Sequence, residues 1–123
     1  FSSFQSKAED IKFNLLRFLL EKKLEGKIVA GYGAAAKGNT LLNFSGIKQD
    51  LISYVCDAAE SKQNKFMPGS HIPILHPSVL ESNPPDFLII FPWNISDEIV
   101  NQLDSIKKKG TEMVIAVPEL KIL

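Results

Sequence analysis

Apolar residues recur at helical spacing from about Ser3 to Glu25. Phe4, Ala8, Ile11, Leu15 and Leu19 fall on one line, with Leu16, Leu20 and Leu24 beside it. This pattern predicts a long amphipathic helix. Ser6 and Glu9 form a capping box if the helix starts there, and Lys22, Lys23 and Gly26 suit its end. The stripe is wide, because Phe13 and Phe18 lie outside its centre. Such a helix packs on a sheet, or turns its outer side towards a preceding domain. After Gly26 the rhythm changes to short apolar runs. Lys27–Ala30, Leu51–Cys56, Asp86–Phe91 and Glu112–Val117 read as strands, and His71–Ile74 as a shorter one whose Pro73 suits an edge. Asp86–Phe91 is the most apolar run, so a central strand buried on both faces is expected there. Helical stretches fall between the runs. One spans Lys37 to Phe44 and stops at Gly46, and a short one spans His76 to Glu81. A third is capped by Asn94 or Ser96 and runs to Lys107–Lys109 before Gly110. Ala58–Ser70 is a polar connection containing the turn Pro68-Gly69.

Strands alternating with helices predict an α/β chain with a parallel sheet covered on both faces. Right-handed crossovers arrange five mainly parallel strands in the order 3-2-1-4-5, a Rossmann-like three-layer domain with an N-terminal helix. Residues 1–25 form the connecting helix and residues 26–119 the α/β core. In such a sheet ligands bind at the carboxyl ends of the strands, where strand order reverses. That point lies between the first and fourth strands. The turn Gly31–Lys37 and the corner Pro92-Trp93-Asn94 are therefore expected to be neighbours.

The first of these carries a pattern. Gly31-x-Gly33-x-x-Ala36 follows an apolar run and opens a helix, as in dinucleotide-binding folds with alanine in the third place. On this reading Gly31 allows a tight turn and Gly33 lets backbone approach a phosphate. Ala36 lets helix and strand pack closely. The unsatisfied N–H groups at the helix start carry the positive end of the dipole and favour an anion. A structural tight turn is the competing explanation. Tyr32 lies within this stretch, Lys37 adds a cation and Asn39 an amide. Asp57 ends the second strand about 24 residues past Gly33, where an acidic residue can bind ribose hydroxyls; it also suits a turn. Trp93 offers a flat face for a base or sugar, or fills space under the loop. Asn94 offers an amide to a ligand, or caps a helix.

Composition narrows the function classes. Fourteen basic and fourteen acidic side chains balance, which argues against nonspecific nucleic-acid binding. No apolar run is long enough to span a membrane. The lone cysteine, Cys56, permits no internal disulfide, which points to a reducing, cytoplasmic compartment. His71 and His76 lie in or near a proline-rich connection and suit loop hydrogen bonds. No His/Cys cluster has metal-ligand spacing, and no Ser–His–acid set can be argued. No catalytic residue and no metal ligand is assigned. The chain reads as a binding half of an enzyme. Its start at Phe1, without methionine, suggests a piece of something longer.

The run Gly31-Tyr32-Gly33-Ala34-Ala35-Ala36-Lys37-Gly38-Asn39-Thr40-Leu41-Leu42-Asn43 goes beyond a generic fingerprint. Together with Lys62-Gln63, Pro68-Gly69-Ser70-His71-Ile72-Pro73-Ile74 and Pro92-Trp93-Asn94 it resembles the C-terminal domain of S-adenosylmethionine-dependent sugar C-methyltransferases. These enzymes act on nucleotide-linked deoxysugars. The resemblance covers about Glu25 to Glu119. It implies a Rossmann-like domain that helps hold the nucleotide-sugar, preceded by a zinc-binding module and a methyltransferase domain that holds the methyl donor. S-adenosylmethionine and zinc are then expected outside this chain, which meets the preceding methyltransferase domain through its opening helix. Gly31, Gly33, Ala36, Lys37, Asn39 and the Trp93-Asn94 corner carry over as binding positions. Ala58-Ala59-Glu60-Ser61 lacks the Asn-Pro of the family pattern, and Asn64 stands where the family has glycine. Both departures lie in the loop after the second strand. Two alternatives remain at this point: a small nicotinamide-cofactor or coenzyme A domain, and a non-catalytic interaction domain.

Overall fold

The computed structural model describes residues 3–123. The side chain of Phe4, first in the expected helical stripe, lies outside what is described. Helix α1 (Ser3–Leu24) precedes strand β1 (Val29–Tyr32), helix α2 (Ala36–Ser45) and strand β2 (Val55–Cys56). A 3-10 turn at Glu60–Lys62 leads to strands β3 (Lys65–Phe66) and β4 (Pro73–Leu75), then to helix α3 (Ser78–Ser82). Strand β5 (Phe87–Ile90) is followed by helices α4 (Ser96–Gln102) and α5 (Asp104–Lys108), then strands β6 (Glu112–Ile115) and β7 (Lys121–Ile122).

The sheet is mixed and seven-stranded, in the order β3-β4-β2-β1-β5-β6-β7. The five-strand sheet expected from the sequence is therefore corrected. Its order 3-2-1-4-5 describes the parallel interior, β4-β2-β1-β5-β6, and two antiparallel strands border it. Each border strand is two residues long and exposed, with a lysine first, so neither carries an apolar alternation. Pro73 is not on an edge as expected. It is the first residue of β4, where it pairs with Phe66 of β3, and a missing N–H is tolerated at a strand's first position.

Helices α1 and α2 cover one face of the sheet, over a core that includes Leu15, Leu19, Leu42, Val55, Ile89 and Phe91. Helices α3, α4 and α5 cover the other, over Leu80, Leu88, Ile90, Ile106 and Met113. All four residues of β5 are buried because successive side chains enter the two cores in turn. Two further expectations are corrected. Helix α1 starts at Ser3, so Ser6 lies inside it and is no cap. The expected helix from Asn94 to Lys109 is three pieces: a 3-10 turn at Trp93–Ile95, then α4 and α5, which part at Leu103. Ile95 precedes α4, and no side chain caps that helix. Ile99, Leu103 and Ile106 all reach the same core, at a spacing that a continuous helix would also give, so the apolar pattern runs through the break.

Candidate functional site

Strand β1 runs two residues further than its apolar pattern indicates, and Gly31 lies within it. The role expected for Gly31, a tight turn, is corrected: the turn is made by Gly33, whose φ is +98°. Gly31 is small for another reason. A Cβ there would stand 2.5 Å from Cε2 of Phe91. At Gly33 it would stand 2.7 Å from Cδ of Pro92, and at Gly38 2.8 Å from Cβ of Phe91. The three glycines thus let Phe91 and Pro92, just past β5, press against the turn and against α2. The switch point of the sheet brings the two segments together, as strand order required.

Hydrogen bonds fix the turn from the other side. The Gly33 N–H donates to the Cys56 carbonyl at 2.8 Å, and the Ala34 N–H to Oδ2 of Asp57 at 2.7 Å. Oδ1 of Asp57 accepts from the Ala59 N–H at 2.8 Å. Lys62 Nζ donates to the Ala34 carbonyl at 2.9 Å, and Gln63 Nε2 to the Asp57 carbonyl at 2.8 Å. The family-like pair Lys62-Gln63 therefore clamps the glycine turn and the end of β2. Helix α2 then begins after Ala35, which supplies no side-chain cap. Its first-turn N–H groups are left to solvent or a ligand, at the positive end of the dipole.

A cavity of about 330 Å³ opens at this helix start, between Gly33, Ala35, Ala36 and Lys37 on one side and Pro92 and Asn94 on the other. Lys37 Nζ lies 5.4 Å from the centre of the Trp93 ring, within cation–π range. Of the expected site residues, Gly33, Ala36, Lys37 and Asn94 line this cavity, and Trp93 borders it through Lys37. Gly31 lies beneath it, against Phe91. Asn39 follows in α2, and its Oδ1 is buried without a partner among the described residues. Asp57 holds the turn with both carboxylate oxygens. Tyr32 packs against the opposite core, towards α3–α5, where burial first and Asp57 second raise its phenol above the usual range.

The remaining candidates have structural employment. Nδ1 of His76 accepts the Ser78 N–H at 3.0 Å, at the entry to α3. His71 has φ 59° in the β3–β4 connection and lies beside the Phe66 ring. Cys56 is fully buried; burial, then the nearby Asp57, push its thiol up to about 12, so it is a poor nucleophile. Among the described residues no three of His, Cys, Asp and Glu are grouped to hold a metal ion. No helix of the described residues is long and apolar enough to cross a membrane. Such a site can grip an anion and a neighbouring flat group.

The family model of the C-methyltransferase C-terminal domain matches residues 1–118. The chain belongs to this family. It is also similar to the C-methyltransferase NovU of Streptomyces niveus, with 34% identity over 99 residues, 80% of this chain and 24% of that protein. The chain thus spans about a quarter of the length of that relative. Two of its fixing residues escape a reading of the sequence alone. Lys62 looks like a solvated or phosphate-facing cation, and Asn43 like a helix surface residue. Asn43 Nδ2 donates to the Pro68 carbonyl at 3.0 Å, tying the end of α2 to the Pro68-Gly69 turn. The only available signal for either is its place in a family-like motif.

Proposed function

We propose that this chain is the nucleotide-sugar-binding C-terminal domain of an S-adenosylmethionine-dependent C-methyltransferase acting on a nucleotide-linked deoxysugar. One observation carries the reading: the uncapped start of α2 faces Pro92 and Asn94 across a cavity, with Lys37 on its wall. Oriented N–H groups and a lysine suit a diphosphate, and a diphosphate is what a nucleotide-sugar offers. The methyl donor, zinc and the transfer chemistry belong to other parts of a longer protein in a reducing, cytoplasmic compartment. This domain binds and orients. The preceding methyltransferase domain docks on the outer side of α1, where Phe13, Leu20 and Leu24 are exposed.

Titration with thymidine diphosphate, followed by amide shifts, tests the reading. The amides of Gly33–Lys37 and of Trp93 and Asn94 should move at millimolar ligand. If they stay still, the site assignment is wrong. The packing of Phe91 and Pro92 on the glycines supports a second reading, an interaction domain whose turn is purely structural. Ligand affinity that is absent here and recovered only in the longer protein would favour it. Tight NADH binding would favour a dinucleotide domain, though Asp57 already spends both oxygens on the turn.

A further inference from the structure

A second and larger cavity, about 520 Å³, runs between α1 and α2. Lys7, Ala8 and Ile11 line it from α1, and Thr40, Leu41 and Phe44 from α2. The α2 residues, with Lys37, follow the spacing of one helix face. Val117 and Pro118 complete the wall, and Trp93 stands in it as well. The size and apolar character suit a small-molecule pocket. The charge is one-sided: among the described residues two lysines line it and no carboxylate does.

Lys37 is a wall of both cavities. On one side of it lie the glycine turn and the free N–H groups of α2. On the other lie Trp93, Phe44 and the apolar groove. A ligand that fills both must be anionic at one end and flat and apolar at the other. We propose that the groove takes the planar base of a nucleoside diphosphate whose phosphates sit at the glycine turn, with the Lys37 ammonium between the two. This rests on the reading of the turn given above. The sugar does not occupy the groove. Among the described residues its hydroxyls would lose water there and find only the Thr40 hydroxyl and two ammonium groups as side-chain partners, and unpaired polar groups are costly to bury. A base presents its π-face to the aromatic rings and needs fewer polar partners. The sugar then leaves past Gly33 and Asn94, towards solvent or a neighbouring domain.

The test compares thymidine diphosphate with inorganic pyrophosphate on the same chain. Thymidine diphosphate should move the amides of Ile11, Leu41 and Phe44 as well as those of Gly33–Lys37; pyrophosphate should move only the second set. Base stacking should make the nucleotide bind roughly tenfold tighter or more. Thr40→Trp, or Ala8→Trp from the α1 side, fills the groove. Each should reduce nucleotide affinity to that of pyrophosphate and leave pyrophosphate binding unchanged, with the amide spectrum reporting an intact fold. Shifts at the turn with none in the groove, or an affinity ratio untouched by both variants, overturn this proposal and leave the turn reading standing. If neither compound moves the turn, that reading fails and the groove proposal fails with it.

Discussion

Phe91 is the residue on which the glycine turn is built. It is 1% exposed, and its atoms stand where Cβ atoms at positions 31 and 38 would go. Gly31→Ala should therefore cost about 1–3 kcal/mol through overpacking, read as a lower urea midpoint at unchanged slope. Gly38→Ala tests the same contact from a helix, where the exchange normally gains about 0.5–1 kcal/mol. Here it should destabilise, because Cβ and Cγ of Phe91 would both be 2.8 Å away. Cys56 makes a prediction about pH. Its thiol is pushed up to about 12 by burial and by Asp57, against about 8.5 in an unfolded chain. The folded state thus holds a proton that the unfolded state releases. The associated stability is complete below about pH 8.5 and is lost as pH rises towards 12. Tyr54, also raised to about 12 mainly by burial, acts in the same direction. Denaturation curves from pH 8 upwards should show stability falling, and Cys56→Ala should make the fall shallower.

At the scale of elements, a few side chains fasten loops to helices and strands. Asp57 holds the Ala34 and Ala59 amides. Asp57→Ala leaves both without their acceptor and should cost about 1–3 kcal/mol, with faster hydrogen exchange at Ala34. Asn43→Ala frees the Pro68 carbonyl and should cost about 0.5–1.5 kcal/mol, with shifts centred on Gly69. On the opposite face Glu81 of α3 accepts from Ser105 Oγ at 2.7 Å and pairs with Lys109 at 3.0 Å. Those bonds, Ser105 first, hold its carboxyl below the usual range. Short helices α3 and α5 are thereby joined at their surface as well as through the core.

At the scale of the whole molecule, two cavities meet at Lys37 and one apolar side of α1 is exposed among the described residues. Leu24 is 88% exposed and Leu20 51%. Replacing both by lysine should change the stability of this domain by no more than about 0.5 kcal/mol, as surface substitutions do. In a longer protein carrying the methyltransferase domain, the same pair of changes should speed proteolysis between the two domains. Equal cleavage with and without the substitutions would place the docking surface elsewhere.

What the sequence determined by itself was the alternation of elements, hence the parallel interior of the sheet and the meeting of Gly33–Lys37 with Pro92–Asn94. Crossover handedness and apolar runs suffice for that, because both act on long, strongly patterned segments. The border strands β3 and β7 and the break at Leu103 were not legible. Two exposed residues beginning with lysine carry no alternation, and Ile99, Leu103 and Ile106 keep helical spacing across the break, so periodicity does not mark it. The site divided in the same way. Its glycines and Lys37 were visible as a pattern. That Gly31 yields to Phe91, that Asp57 and Lys62 serve the turn, and that an apolar groove shares Lys37 were decided by tertiary packing. Each depends on which distant side chain arrives at the same few ångströms, and local spacing does not encode that.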